Sequence, residues 1–323
     1  MGITMIEQMV NQIIAGRQLK RGDDLSFLLD TDCRELTAGA DRIREQLCGN
    51  HVDLCTIING RAGRCSENCK FCAQSGHHHT GAEEYGVLEK QELVDACKHY
   101  EKSGAHRFSI VTAGRTLTGS DFDQTVEAYE LMAGECPRMM LCASHGLLTE
   151  EQMTALRKAG VTRYHANIET SRRNFPNICT THTFEDKIAC IKAAQKAGLQ
   201  VCSGGIIGMG ETWEDRIDMA LTLAELKVDS IPLNALIPIP GTPFEDMVPL
   251  TEDEILRTIA IFRFINPKAD VRLAAGRTLL EDSGKNAFFA GANATITGDM
   301  LTTSGNNTEE DKEMLTACGF DIG

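Results

Sequence analysis

The chain has 323 residues, 42% of them hydrophobic and 24% charged, with a net charge of −14 at pH 7. That length buries a substantial core and is long for one compact domain unless the domain is a barrel. The acidic balance, with no Lys/Arg-rich block, argues against a nucleic-acid partner, and no apolar run reaches the length of a membrane span.

The first segment, "MGITMIEQMVNQIIAG", lacks the basic and long apolar regions of a signal peptide. It also has Ile6 where the myristoylation pattern needs Ser or Thr. Residues 1–50 mix apolar and charged positions at helical spacing and are expected to form a helical extension. From residue 51 short apolar runs alternate with helical stretches. The runs are "VDLCTII", "HRFSIVTA", "RMMLCASH", "RYHANIE", "LQVCSGGIIG", "DSIPLNALIPI", "ADVRLAAG" and "NATITG". The intervening stretches open with cap signals such as "TEEQ" and "TEDE" and close on Gly, as in "KSG" and "KAG". Eight β-α units predict an α/β fold of the (β/α)8 TIM-barrel kind over residues 51–300, with residues 301–323 as a tail or helix packing on it. A doubly wound sheet is the alternative, but no G-x-G-x-x-G follows the first strand.

The 13 cysteines are expected to be reduced, in the cytoplasm, and to serve metal binding or catalysis rather than disulfides. "RCSENCKFC" carries Cys65, Cys69 and Cys72 on the loop after the first strand, the catalytic face of a barrel. Sulfur ligands select iron–sulfur clusters or zinc. A structural zinc site wants a fourth ligand, which His77, His78 or His79 would have to supply. Three thiolates on a cubane instead leave one iron open. Cys55, Cys142 and Cys202 lie on the first, third and fifth strands, so they can share one layer of the lumen. Each alone reads as a small buried hydrophobe. Arg272, mid-strand, is rare as a buried residue unless paired or coordinating.

C-x-x-x-C-x-x-C in this position, with Phe71 at the usual aromatic place, resembles the radical S-adenosylmethionine superfamily. The resemblance implies that the open iron of a 4Fe–4S cluster chelates S-adenosylmethionine, whose one-electron cleavage gives a 5′-deoxyadenosyl radical. "GRCSENCKFCAQS", "RYHANIETS", "QVCSGGIIGMGET", "NALIPIPGTP", "VRLAAGR" and "FFAGANATITGDMLTT" together resemble the biotin synthase family, from about residue 50 to the end.

That resemblance implies sulfur insertion into dethiobiotin, with the sulfur drawn from an auxiliary iron–sulfur cluster. It implies Cys142, Cys202 and Arg272 at that cluster, and Asn167 and Asn234 on the ureido and cofactor groups. It also implies Glu169 on the cofactor ribose, Lys187 on its carboxylate, and the "GGIIGMGE" segment, with Gly208 and Glu211, along its adenine. No side chain is assigned as a general base, since the radical comes from the cofactor. A flavodoxin or ferredoxin as reductant and a homodimer, with the N-terminal helices at its interface, are further implications.

The family pattern is not followed throughout. Its third auxiliary cysteine falls in an R-F-C stretch, where "HRFSIV" here places Ser109, and Cys55 takes a position usually held by Ser. The relocated cysteine favours a four-iron auxiliary cluster on Cys55, Cys142 and Cys202, with Arg272 pairing to it. The alternative is 2Fe–2S with Arg272 as a ligand. His165 and Ala166 stand where the pattern has Asn and His, so His165 either contacts substrate or hydrogen-bonds in the barrel wall. The other seven cysteines, Cys33, Cys48, Cys97, Cys136, Cys179, Cys190 and Cys318, are read as non-ligands. Two rival functions are another radical enzyme on the same barrel, of the hydrogenase-maturation or methylornithine-synthase type, and an iron–sulfur carrier without catalysis.

Overall fold

A computed structural model describes residues 4–298 and 307–323; the end of the "FFAGANATITGDMLTT" motif lies outside the described residues. Three helices come first: α1 (Met5–Ile14), α2 (Phe27–Asp30) and α3 (Cys33–Cys48). The repeating part then runs β1 (Asp53–Arg61), α4 (Lys90–Ser103), β2 (Arg107–Thr112), α5 (Gly119–Glu135), β3 (Met140–Ser144), α6 (Glu150–Lys158) and β4 (Val161–His165). It continues with α7 (Phe175–Ile178), α8 (Phe184–Lys196), β5 (Gln200–Cys202), β6 (Gly205–Ile207), α9 (Trp213–Glu225) and β7 (Ser230–Ala235). The last described elements are α10 (Glu252–Ile265), β8 (Asp270–Leu273), α11 (Lys285–Phe288), β9 (Ala294–Ile296) and α12 (Thr308–Ala317).

All strand pairings within the sheet are parallel, and β1 pairs with both β2 and β9. The sheet closes because β7 pairs with β5 through Cys202 and Ser230 and with β6 through Gly205 and Leu233. The nine strands are therefore eight staves, with β5 and β6 as two halves of the single run "LQVCSGGIIG". The expected (β/α)8 barrel is present, and one stave is broken at Ser203–Gly204. The break has a steric cause. A Cβ at Gly204 would lie 2.0 Å from the Pro232 carbonyl oxygen, and one at Gly205 would lie 2.3 Å from the Glu169 carbonyl oxygen. Only glycine lets the backbones approach so closely.

The helices around the barrel start where the cap signals predict. Thr149, Thr183, Thr212 and Thr251 each form a capping box with the residue three positions on. Helix α10 is apolar nearly all round, with Ile255, Ile259, Ile261, Phe262, Phe264 and Ile265 buried. Such a helix needs cover on two sides. The barrel supplies one, and α1–α3 supply the other, with Phe27 edge-on to Phe264 and α3 packed along α10. At the far end of the chain Asp321 bonds to Val52 N and Asn50 O, and Ile322 O bonds to His106, so the tail lies across the start of β1 and β2. That is the opposite end of the barrel from the cysteine loop.

Candidate active site in the barrel lumen

The loop after β1 folds back on itself. Cys65 N donates to Gln74 O, Gly76 N to Cys65 O and Cys72 N to Cys69 O. Its anchor is Glu67, whose Oε2 accepts from Thr181 Oγ1 at 2.8 Å and His182 Nδ1 at 2.6 Å. Lys70 N donates to Ile178 O, so the loop is also tied to the end of α7. Cys65, Cys69 and Cys72 are all half-buried thiols. His77 and His78 place ring nitrogens on the Ser66 and Cys69 carbonyls, so both bind the loop backbone.

Cys179 was not expected here. Its Sγ lies 3.7 Å from Cys69 Sγ and 3.3 Å from His182 Nδ1. Contact with Cys69, backed by His182, pulls the Cys179 thiol down to about 3, while the same contact and burial push the Cys69 thiol up. A legible signal was present in "CTTH", where Cys and His stand three apart.

Phe71 and Cys72 line the upper part of a lumen cavity of about 290 Å³. Its wall includes Ile57, Val111, Ile206 and Ile296, and it reaches down to Cys55, Cys142, Cys202 and Arg272. Strand register puts the three deep cysteines together. Cys142 stands opposite Ser109 and Arg163, Cys202 opposite His165 and Ser230, and Cys55 opposite Arg107 and Ile296. Contact with Cys142, together with burial, raises the Cys55 thiol, and the same contact lowers Cys142 to about 6 against its burial. Burial opposes ionisation of Cys202, but the hydrogen bond and charge of His165, with Arg272 and Arg163, outweigh it and lower the thiol. His165 thus lines the cavity and stands across from Cys202 in the sheet register.

Below the thiols lie three arginines. Arg272 is 2% exposed. Its Nη1 donates to Thr295 O at 2.8 Å and Asp53 O at 3.2 Å, its Nη2 to Asp53 Oδ1 at 2.5 Å, and its Nε to Ser230 Oγ at 3.4 Å. Arg107 Nε reaches Asp53 Oδ2 at 2.9 Å, and Arg163 Nη2 reaches Asp270 Oδ2 at 3.3 Å. Burial alone would raise the Asp53 carboxyl, but Arg272 and Arg107 hold it well below the usual carboxylate range. Arg107 Nη1 and Arg163 Nη1 are buried with no hydrogen-bond partner among the described residues. Buried donors of this kind are costly unless something accepts from them. Three guanidiniums, two sharing Asp53 and the third on Asp270, suit a cluster of thiolates and sulfides, so the residues present fit an anionic iron–sulfur group. Sequence reading found Arg272 and missed Asp53, Arg107 and Arg163, whose strand positions looked ordinary.

The remaining site residues divide into two sets. Glu169 has φ of 69° and lines the cavity, with Oε2 buried and unpartnered and Oε1 4.0 Å from Lys187 Nζ. A carboxylate held in that strained state fits a ligand that brings hydroxyl donors. Asn167 Oδ1 accepts from Gly204 N at 3.0 Å, and Asn234 spans Gly205 O and Ala275 N at 3.1 Å each, so both brace the broken stave from the cavity wall. Gly208, Glu211 and Lys187 stand outside the cavity lining. The Glu211 carboxylate is taken up by Gly208 N at 2.8 Å, Met209 N at 2.7 Å and Arg216 Nε at 2.8 Å, so it shapes the turn and has no free oxygen to offer.

Comparison with known proteins agrees with this geometry. Residues 61–223 match the radical SAM superfamily and residues 232–321 the Biotin and Thiamin Synthesis associated domain. The chain is 63% identical over 317 residues to the biotin synthase of Alkaliphilus metalliredigens, covering 98% of this chain and 99% of that one. It is 62% identical to the biotin synthase of Clostridium beijerinckii, covering 98% and 100%. Among solved structures, a methylornithine synthase superposes with a TM-score of 0.82 at 20% identity, covering 98% and 97% of the two chains. A maturase of the [FeFe]-hydrogenase gives 0.82 at 15% identity, covering 98% and 74%. The two solved structures share the barrel alone at these identities, and they are of the rival types considered from the sequence.

Proposed function

Because the chain belongs to the biotin synthase family of radical S-adenosylmethionine enzymes, we propose that its lumen has a radical end at Cys65, Cys69 and Cys72 and a sulfur-donating end at Cys55, Cys142 and Cys202. The activity is sulfur insertion into dethiobiotin to form biotin, with a 4Fe–4S cluster and S-adenosylmethionine. When bound, the first cluster and S-adenosylmethionine supply a hydrogen-abstracting radical, and the auxiliary cluster supplies sulfur.

The chain's own residues bind, orient and exclude water. Glu169 receives the ribose hydroxyls through its unpartnered Oε2, and Lys187 pairs with the cofactor carboxylate. The backbone of the turn at Gly208, which Glu211 holds in shape, runs along the adenine, and Phe71 packs beside it. Asn167, Asn234 and His165 present polar groups to the neutral ureido ring of dethiobiotin. The apolar wall of Ile57, Val111, Ile206 and Ile296 keeps the space between the two ends dry. Arg107 and Arg163 direct free donors toward the auxiliary group. Arg272 already spends its Nε, Nη1 and Nη2 on Asp53, Ser230 and Thr295, which favours pairing over ligation. On this reading Cys55, Cys142 and Cys202 would hold a four-iron auxiliary cluster, which would supply the sulfur. The competing 2Fe–2S site with Arg272 as ligand would require that arginine to leave Asp53.

The observation that carries this reading is the pair of unpartnered guanidinium nitrogens beside three buried thiols. The test is anaerobic Mössbauer spectroscopy with iron and sulfide counts on reconstituted protein. The expected result is cubane-type iron only in the wild type, with about half of it lost in Cys55→Ala. A separate 2Fe–2S signal that survives the substitution defeats the four-iron assignment. A flavodoxin or ferredoxin as reductant, a homodimer through the N-terminal helices and a cytoplasmic location complete the proposal. All 13 thiols are free, which suits a reducing compartment.

A further inference from the structure

One group of metal-ligating side chains joins a radical-cluster cysteine to two residues that this mechanism does not use. Among the described residues, Cys69, Cys179 and His182 each bring one donor atom to within 4.8 Å of the other two. Cys69 Sγ and Cys179 Sγ are 3.7 Å apart, and Cys179 Sγ lies 3.9 Å from His182 Nε2. Two thiolates on one tetrahedral zinc, each about 2.3 Å from the metal, stand about 3.8 Å apart, and a thiolate and an imidazole nitrogen about 3.5 Å. Thiolates on separate irons of a cubane must span the cluster and stand farther apart. The thiol spacing is therefore close to that of a single ion's shell.

The surroundings support the same shell. His182 Nδ1 is bonded to Glu67 Oε2 at 2.6 Å and lies 3.3 Å from Cys179 Sγ; a small ring rotation that keeps the Glu67 bond turns Nε2 to the thiols, the carboxylate–histidine arrangement that orients metal-bound imidazoles. Cys179, His182 and Glu67 are buried. The two loops that carry the donors are held together without any metal. Asn68 N donates to Thr181 Oγ1 at 3.1 Å, Thr180 N donates to Asn68 Oδ1 at 2.9 Å, and Lys70 N donates to Ile178 O at 2.9 Å. Two thiolates and one imidazole are soft ligands that select zinc over hard cations, with a fourth position left for water.

We propose that Cys69, Cys179 and His182 form a mononuclear site for a thiophilic divalent ion in the cluster-free protein, and that this site competes with the radical cluster for Cys69. The loop then has two exclusive metal states. Zinc holds Cys69 on Cys179 and His182, whereas cluster assembly draws Cys69 to Cys65 and Cys72. The competition rests on Cys69 being a cluster ligand; the mononuclear site does not.

The experiment uses full-length protein, stripped of iron and kept anaerobic, titrated with Co²⁺ alone. The expected result is one equivalent of tetrahedral cobalt with thiolate charge-transfer absorption, displaced by Zn²⁺. Cys179→Ser and His182→Asn should each weaken binding at least tenfold, while Cys65→Ser and Cys72→Ser retain it. Circular dichroism on each variant separates loss of the site from loss of the fold, and the Cys65 and Cys72 variants report even where one of the others unfolds. Absence of the cobalt spectrum from the wild type, or its loss with Cys65 or Cys72 but not Cys179, overturns the site. In a second arm, one equivalent of Zn²⁺ should slow iron–sulfide reconstitution several-fold in the wild type and leave Cys179→Ser unaffected. Equal slowing in both overturns the competition, while failure of Cys65→Ser to lose the cluster would count against the radical-cluster assignment instead.

Discussion

His145 is fully buried behind β3, with Nδ1 3.0 Å from Thr112 Oγ1 and Nε2 3.1 Å from Tyr129 Oη. Burial lowers it to about 3. An unfolded histidine titrates near 6.5, so between these values the unfolded chain holds a proton that the native chain does not. Stability therefore rises with pH across that window, by at most about 1.4 kcal/mol per unit. The contribution is complete above the unfolded value and is lost as pH falls toward the folded one. His145→Gln keeps polar contacts and removes the ionisation. Urea midpoints measured from about pH 4 to 7 should show a flatter slope for the variant than for the wild type; parallel slopes would mean that His145 does not stay neutral in the native state. The same scale explains the site. A guanidinium with a free nitrogen, such as Arg107 or Arg163, is unfavourable in the empty protein and useful only when an anion arrives.

The broken stave is the element on which the site depends. Between Cys202 at the end of β5 and Gly205 at the start of β6, the chain leaves the sheet for two residues, and Asn167 and Asn234 bond the exposed backbone. The break lets a deep cysteine and the turn at Gly208 belong to one stave. Gly204→Ala would drive a Cβ to 2.0 Å from the Pro232 carbonyl, a backbone atom that cannot swing away. We expect a loss of several degrees or more in thermal midpoint together with weakened S-adenosylmethionine binding. A variant with wild-type midpoint and binding would show that the break is not tightly constrained.

At the scale of the whole molecule, the barrel is braced by chain segments far apart in sequence. Arg277, just after β8, forms a two-pronged pair with Asp311 of α12, at 2.9 and 2.7 Å, and Asp311 is fully buried. Removing one member leaves a buried charge, at a cost of about 3–5 kcal/mol. Urea titration should show Arg277→Met lowering the unfolding free energy by that amount, whereas Arg115→Met, on a half-exposed arginine, should change it by less than about 1 kcal/mol. Similar effects from the two substitutions would mean that α12 does not brace the barrel.

The linear pattern determined what repeats and what is locally signalled. Eight apolar runs, the threonine capping boxes around the barrel and the spacing of Cys65, Cys69 and Cys72 depend on neighbours a few residues away, and all were legible. Two asparagines and a glutamate could be named from the family resemblance, yet their neighbours could not. Closure of the barrel decided those. It set Arg107, Arg163 and Asp53, from three strands, beside Cys55, Cys142 and Cys202. It brought Cys179 and His182 to Cys69 across more than a hundred positions, and it made Glu211 a brace. Strand alternation tells which residues face inward. Only register around a closed sheet tells which of them share a layer, because register is fixed by pairings between segments that the sequence does not place side by side.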